Sequence, residues 1–159
     1  MTDRSLDDRL EKLRRKVDKL IDKYQPDEAG YYYVHLYGVS HFCALLALRR
    51  GLDPGLAAAC GMLHDIHQVL TGEIKRHAVN GATAAETLLR KWRLYTDEEI
   101  AVIVTAISRH SRKRAVHGAY DELLKDADVL HHCLYDPSAP VLKKEKARYA
   151  DVLAELGVT

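Results

Sequence analysis

Residues 57–66 read Ala-Ala-Ala-Cys-Gly-Met-Leu-His-Asp-Ile, a run of small and apolar side chains that closes on an imidazole and a carboxylate. A helix of Ala57, Ala58, Cys60, Gly61, Met62 and Leu63 has no polar face to turn to water, so it belongs inside, packed on most sides. An ionisable pair at the end of such a helix is costly unless something compensates its charge. A bound cation does so, because neutral imidazole and carboxylate are good ligands for iron, manganese or zinc. Neighbouring helical positions point about 100° apart, so His64 and Asp65 can both reach an ion lying between their directions. The rival reading is a surface His-Asp pair at a helix end. Further His and Asp residues at matching places decide between the two.

A chain of 159 residues is long enough for one domain with a real core. The formal net charge of +1 sets up no field that would attract nucleic acid or a membrane. Cys43, Cys60 and Cys133 fall on apolar helical patterns and no CxxC pair exists. They read as packed thiols of a reduced, cytoplasmic protein, and a zinc ribbon is excluded. No apolar run approaches a membrane span, and Met1–Arg15 is too charged for a signal peptide. The informative excess is in histidine, of which there are nine.

Helical spacing organises the whole chain into an all-α bundle of about six to seven helices. Residues 5–24 carry a stripe of Leu6, Leu10, Leu13, Val17, Leu20 and Ile21. That stripe suits packing on its own domain, with a homodimer seam as the alternative. Residues 1–25 form this amphipathic helix, and 26–159 complete one folding unit with it. A second helix spans about 32–49, with His35 four residues before Val39 on the core face and His41 pointing elsewhere. Asp53-Pro54 opens a third as N-cap and first helical position, running to Thr71-Gly72. A fourth covers about 75–92, where His77 heads a seam of Gly81, Ala84 and Ala85. Thr96 and Glu99 form a capping box that opens a fifth, whose stripe Ile100, Ile103 and Ile107 leads to His110. A sixth spans about 120–135. Asp126 and Asp128 lie about 200° apart on it, so only one of them is expected to face the core, and Asp128 is the better placed. A last helix covers 142–156.

His35, His64-Asp65, His77, His110 and Asp128 thus come from five helices, each on or at the head of a core stripe. This ordered set resembles the HD superfamily, whose signature is a His, an adjacent His-Asp and a later Asp. The likeness covers most of residues 30–136, including His35-Leu36-Tyr37-Gly38-Val39 and Lys125-Asp126-Ala127-Asp128-Val129-Leu130. His77-Ala78-Val79-Asn80-Gly81-Ala82, Asp97-Glu98-Glu99-Ile100 and Arg109-His110-Ser111 narrow it towards the bacterial HD hydrolases of diadenosine tetraphosphate, which have a two-iron centre. The resemblance implies that His35, His64, Asp65 and Asp128 hold one metal. It implies that His77 and His110 hold a second, with Asp65 bridging. The chain departs from that family in Ile66-His67-Gln68 after the His-Asp pair, in Ser111-Arg112-Lys113-Arg114 after His110, and in Val129-Leu130-His131-His132 where the family has Glu-Pro-x-Arg.

The implied activity is metal-dependent hydrolysis of a phosphoester or phosphoanhydride bond in a nucleotide-type small molecule. The cofactors implied are two divalent ions, with iron first and manganese, zinc, magnesium or nickel as alternatives. The second site, with only two unshared ligands, is expected to empty more easily on purification. Arg109, Arg112 and Lys113 follow or precede His110 as candidate phosphate contacts, since cations beside a metal centre suit an anionic substrate. Lys113 and His67 are also candidates for a direct catalytic part. Histidine titrates near neutrality, which suits His67 to protonating a leaving group. Two alternatives share the ligand set: a mixed-valent di-iron oxygenase, and a non-catalytic nucleotide- or metal-binding sensor.

Overall fold

Glycine at position 61 sets how closely the two central helices approach. In the computed structural model, which describes residues 4–158 and side chains from residue 8, a Cβ at Gly61 would lie 2.6 Å from the Cα of Ser40 and 2.7 Å from its nitrogen. Only a bare backbone fits there. The helices that meet are α2 (Ala29–Arg50) and α3 (Pro54–Leu63), and the Ser40 hydroxyl donates to the Ala58 carbonyl at 2.9 Å across the seam. Every residue of α3 from Leu56 to Leu63 is buried, as its lack of a polar face requires. Asp53 caps α3, its carboxylate accepting from the Leu56 amide at 2.8 Å, with Pro54 as the first helical residue.

The other helices surround this pair. They are α1 (Arg4–Tyr24), α4 (Ile66–Thr71), α5 (His77–Trp92), α6 (Asp97–Arg109), α7 (Ala119–Tyr135) and α8 (Lys146–Leu156). The described residues form eight helices and no strand, so the bundle is all-α. One more helix forms than periodicity suggests, because the element expected to run from 53 to 71 breaks at the His-Asp pair. Asp65, at φ −110° and ψ 23°, leaves helical geometry and starts α4. Helix α1 lays Leu13, Val17 and Ile21 into the core against α2, α3 and α4. Leu6, the first position of its expected stripe, lies outside the described side chains. The Thr96–Glu99 capping box at the head of α6 is present in full.

Two details of α7 and α8 differ from the sequence pattern. The last helix starts at Lys146 rather than 142, after a turn in which the Glu145 amide donates to Leu142. Asp126 and Asp128 are both sequestered, on opposite sides of α7. Asp126 points away from the His-Asp pair into an ion network, accepting from Arg50 at 2.6 Å and from Arg148 at 2.8 Å. Helix α8, which supplies Arg148, covers that second face and makes room for a paired charge.

The same network holds the segment 111–118. The Arg148 guanidinium donates to the Lys113 carbonyl at 2.8 Å. Lys125, without exposed surface, donates to the Ala115 carbonyl at 2.7 Å, to Glu122 at 2.6 Å and to the His117 ring at 2.8 Å. A buried ammonium is tolerated only with its donors so used. The result is a basic segment tied down from below.

Candidate metal centre

Four helix ends and two helix interiors deliver six side chains to one place. His64 closes α3, Asp65 opens α4, His77 opens α5 and His110 caps α6, while His35 and Asp128 project from within α2 and α7. His77 is aimed by a turn that passes through left-handed geometry at Arg76, φ 55°. These are the six ligand candidates read from the sequence, and the fold brings all of them together.

They gather into two groups that share one carboxylate. In the first, His35 Nε2 is 3.0 Å from both His64 Nε2 and Asp65 Oδ2, and Asp128 Oδ1 stands 3.6 Å from His64 Nε2 and 4.0 Å from His35 Nε2. In the second, His77 Nε2 and His110 Nε2 are 3.2 Å apart, and Asp65 Oδ1 lies 3.7 and 3.5 Å from them. Ligands at about 2.1 Å from an octahedral ion are separated by about 3.0 Å along each edge. The observed spacings, 3.0 to 4.0 Å, are close enough for each group to hold one ion.

Two observations test whether a cation fits. Asp65 Oδ1 is buried and has no hydrogen-bond partner, an expensive state for a carboxylate oxygen. His77 and His110 commit their Nδ1 protons to the carbonyls of Ile74 and Ile107, at 3.0 and 2.7 Å. With both imidazoles neutral, their Nε2 lone pairs face each other. A divalent ion would satisfy both, and the mixed nitrogen and oxygen donor set suits iron, manganese or zinc. His64 is anchored in the same way, Nδ1 donating to the Gly61 carbonyl at 2.7 Å.

The electrostatics agree. Burial pulls the His64 imidazolium down, but Asp65 and Asp128 more than reverse this and raise it to about 9. Burial pushes the Asp65 carboxyl up, and the surrounding imidazoles outweigh it and hold it well below the usual carboxylate range. Burial likewise opposes ionisation of Asp128, and Lys113, His64 and His110 outweigh it. His110 is shifted down, chiefly by its burial. The two carboxylates therefore stay ionised and attract positive charge.

The candidates for substrate contact divide. Lys113 comes to the centre: its ammonium donates to Asp128 Oδ2 at 2.5 Å and to the His110 carbonyl at 2.8 Å. Arg109 is not brought there, because its guanidinium pairs with Asp121 at 2.8 Å. Arg112 is exposed on the loop. His67 turns its Nε2 towards Thr71, Asn80 and Glu73, at 3.5, 3.5 and 3.8 Å.

A cleft of about 210 Å³ opens on the first group, lined by Tyr31, His35, Asp65, Asp128, His131 and Tyr135 among others. Sequence spacing puts His131 or His132 within hydrogen-bonding reach of Asp128, though not among the ligand or catalytic candidates. His131 Nδ1 is 3.2 Å from His35 Nδ1, and burial together with the neighbouring His35 pushes its pKa down to about 4. The signal was its spacing, three residues after Asp128 and so on the same side of α7. Tyr31, four residues before His35, stacks on its ring at 5.7 Å between centroids and 8° between planes.

The HD domain model matches residues 32–133. Ribonuclease Y of Clostridium botulinum is 35% identical over 97 residues, which is 60% of this chain and 17% of that protein. Ribonuclease Y of Chlorobium luteolum is 33% identical over 96 residues with the same coverage. The chain thus matches only about 17% of the length of these relatives. A crystal structure of a predicted HD superfamily hydrolase from an uncultured Thermotogales bacterium superposes with a TM-score of 0.58 at 22% identity, over 90% of this chain and 88% of that one. That likeness speaks to the fold.

Proposed function

Because the chain belongs to the HD-domain family, we propose that it is a metal-dependent phosphohydrolase acting on a phosphoester or phosphoanhydride bond of a nucleotide-type substrate. The observation that carries this reading is the bridging position of Asp65, one oxygen towards each ligand group and one of them without a partner. His35, His64, Asp65 and Asp128 would hold one divalent ion, and Asp65, His77 and His110 a second. Two such ions, when bound, lower the pKa of water and clamp phosphate oxygens.

The protein's own groups do the rest. Lys113 places an ammonium against Asp128 at the edge of the first group, where it would offset negative charge on a bound phosphate. Asp128 and the His110 carbonyl hold that ammonium in place, and Arg148 holds the backbone behind it. Tyr31 and Tyr135, 54% and 66% exposed at the mouth of the cleft, present aromatic faces on which a nucleobase can stack. This rim supports a nucleotide over a simple phosphate ester. The relatives named ribonucleases cleave phosphodiesters, a bond of the same class, so short oligoribonucleotides belong among the substrates tested.

The test is turnover of a panel of nucleoside mono-, di- and triphosphates, dinucleoside polyphosphates and a short oligoribonucleotide. It is run anaerobically with iron(II) or manganese(II). Release of phosphate or nucleotide by the wild type, and not by Asp65→Ala, is the expected result. Silence across the panel together with oxygen uptake by the iron-loaded protein would overturn it in favour of an oxygenase.

A further inference from the structure

We propose that His131 is the positioning residue for the His35 ligand, its Nδ1 accepting the His35 Nδ1 proton, and that Gly38 is the position that admits it. This rests on His35 serving as a ligand, as argued above. An imidazole offers Nε2 to an ion while its proton stays on Nδ1, and the acceptor of that proton sets the ring's orientation and basicity. His64, His77 and His110 each find the acceptor in their own backbone, three residues earlier at Gly61, Ile74 and Ile107. They can do so because each stands at a helix end or just after a turn, where carbonyls have lone pairs to spare.

His35 has no such recourse. It lies inside α2, where the preceding carbonyls serve the helix itself. Among the described residues its Nδ1 partner is His131 Nδ1 on α7, at 3.2 Å. Gly38, one turn after His35, makes the approach possible. A Cβ there would stand 2.2 Å from His131 Cδ2 and 2.5 Å from its Nε2. The His131 imidazole rests against bare α2 backbone. With His131 only 8% exposed, water is poorly placed to substitute for it. Tyr31 stacks parallel to the His35 ring, so His35 is fixed both in plane and in proton position.

Metal affinity, rather than turnover, tests this directly. Metal-free protein is titrated with zinc(II) against a chelator, with circular dichroism as the check on folding. His131→Leu is expected to weaken binding at the His35 group roughly 10- to 100-fold. His131→Asn, whose amide oxygen can occupy the place of Nδ1, is expected to recover most of that loss. Gly38→Ala should also weaken binding, by displacing His131, although alanine favours the helix. Adding His131→Asn to Gly38→Ala should restore part of the affinity. Wild-type affinity in His131→Leu overturns the role, and so does an Asn variant as weak as the Leu variant. If His131→Leu does not fold, Gly38→Ala decides, and wild-type affinity there is the overturning result. Asp65→Ala separates this from the broader reading. Wild type binding zinc no better than Asp65→Ala sinks the metal centre and this role with it. Tight, Asp65-dependent binding that ignores His131 sinks only the role.

Discussion

Asp65 is the residue on which both ligand groups depend, because each of its oxygens faces a different pair of histidines. Asp65→Ala is expected to abolish binding of both ions and all turnover while the far-ultraviolet circular dichroism keeps its helical form. Metal analysis and the nucleotide panel check this, and full activity in the variant would remove the assignment. His110→Ala should cost one ion of the two. The second group has only His77 and His110 unshared, and the His77 side chain is 24% exposed, so its ion should leave first during chelation. Lys113→Met should raise KM about 10- to 100-fold with little change in bound metal, since it removes one charged hydrogen bond to phosphate. Equal loss of metal would instead make Lys113 a structural partner of Asp128. The ligand candidates were legible one by one, as histidines and aspartates on, beside or at the head of apolar stripes. Lys113 was legible only as part of a basic run. Its contact with Asp128 depends on how the 111–118 segment folds back.

At the scale of the helices, the α2–α3 seam and the break at Asp65 do most to build the centre. Gly61→Ala should destabilise the protein by roughly 1–3 kcal/mol, because the added methyl meets Ser40 backbone that cannot swing aside. Urea denaturation measures it, and a neutral result would mean that the two helices separate freely. The small-residue run announced a close-packed helix, but periodicity carried it through His64-Asp65 without interruption. The break arises because Asp65 must turn one oxygen towards His35 and the other towards His110, on different helices. A local pattern contains no information on where those partners stand. Likewise, the ~200° between Asp126 and Asp128 was read correctly, but the pattern of α7 alone could not show that α8 would cover the far side.

For the whole molecule, charge networks and metal couple the site to stability. Burial opposes ionisation of Glu122, but Lys125 and Arg148 outweigh it and hold its pKa below the usual 4.5. Arg50 does the same for Glu155. Both groups have a lower pKa folded than unfolded, so their contribution is complete above about pH 4.5 and is lost as the pH falls through their folded values. On the acid side, metal-free protein should therefore lose stability as the pH falls below about 4.5. Denaturation midpoints measured across pH check this, and a stability that rises on acidification would contradict it. Binding of an ion only to the folded chain adds stability by mass action, about 2.7 kcal/mol at a free concentration one hundred times Kd. Chelation should lower Tm accordingly, and Asp65→Ala should show no such response.

Some properties follow from residue order alone. The all-α class, the buried 57–63 helix, the Asp53 and Thr96 caps and the six candidate ligands are set by the spacing of apolar and chemical side chains, which local geometry turns directly into faces and ends. The tertiary structure decided what those residues meet. It put Asp65 between two groups, sent Arg109 to Asp121 and Lys113 to Asp128, and brought His131 against Gly38 and His35. Each of these depends on helices distant in sequence packing at a particular separation. That separation is settled by steric fit, such as the missing side chains of Gly38 and Gly61, and by the pairing of buried charge.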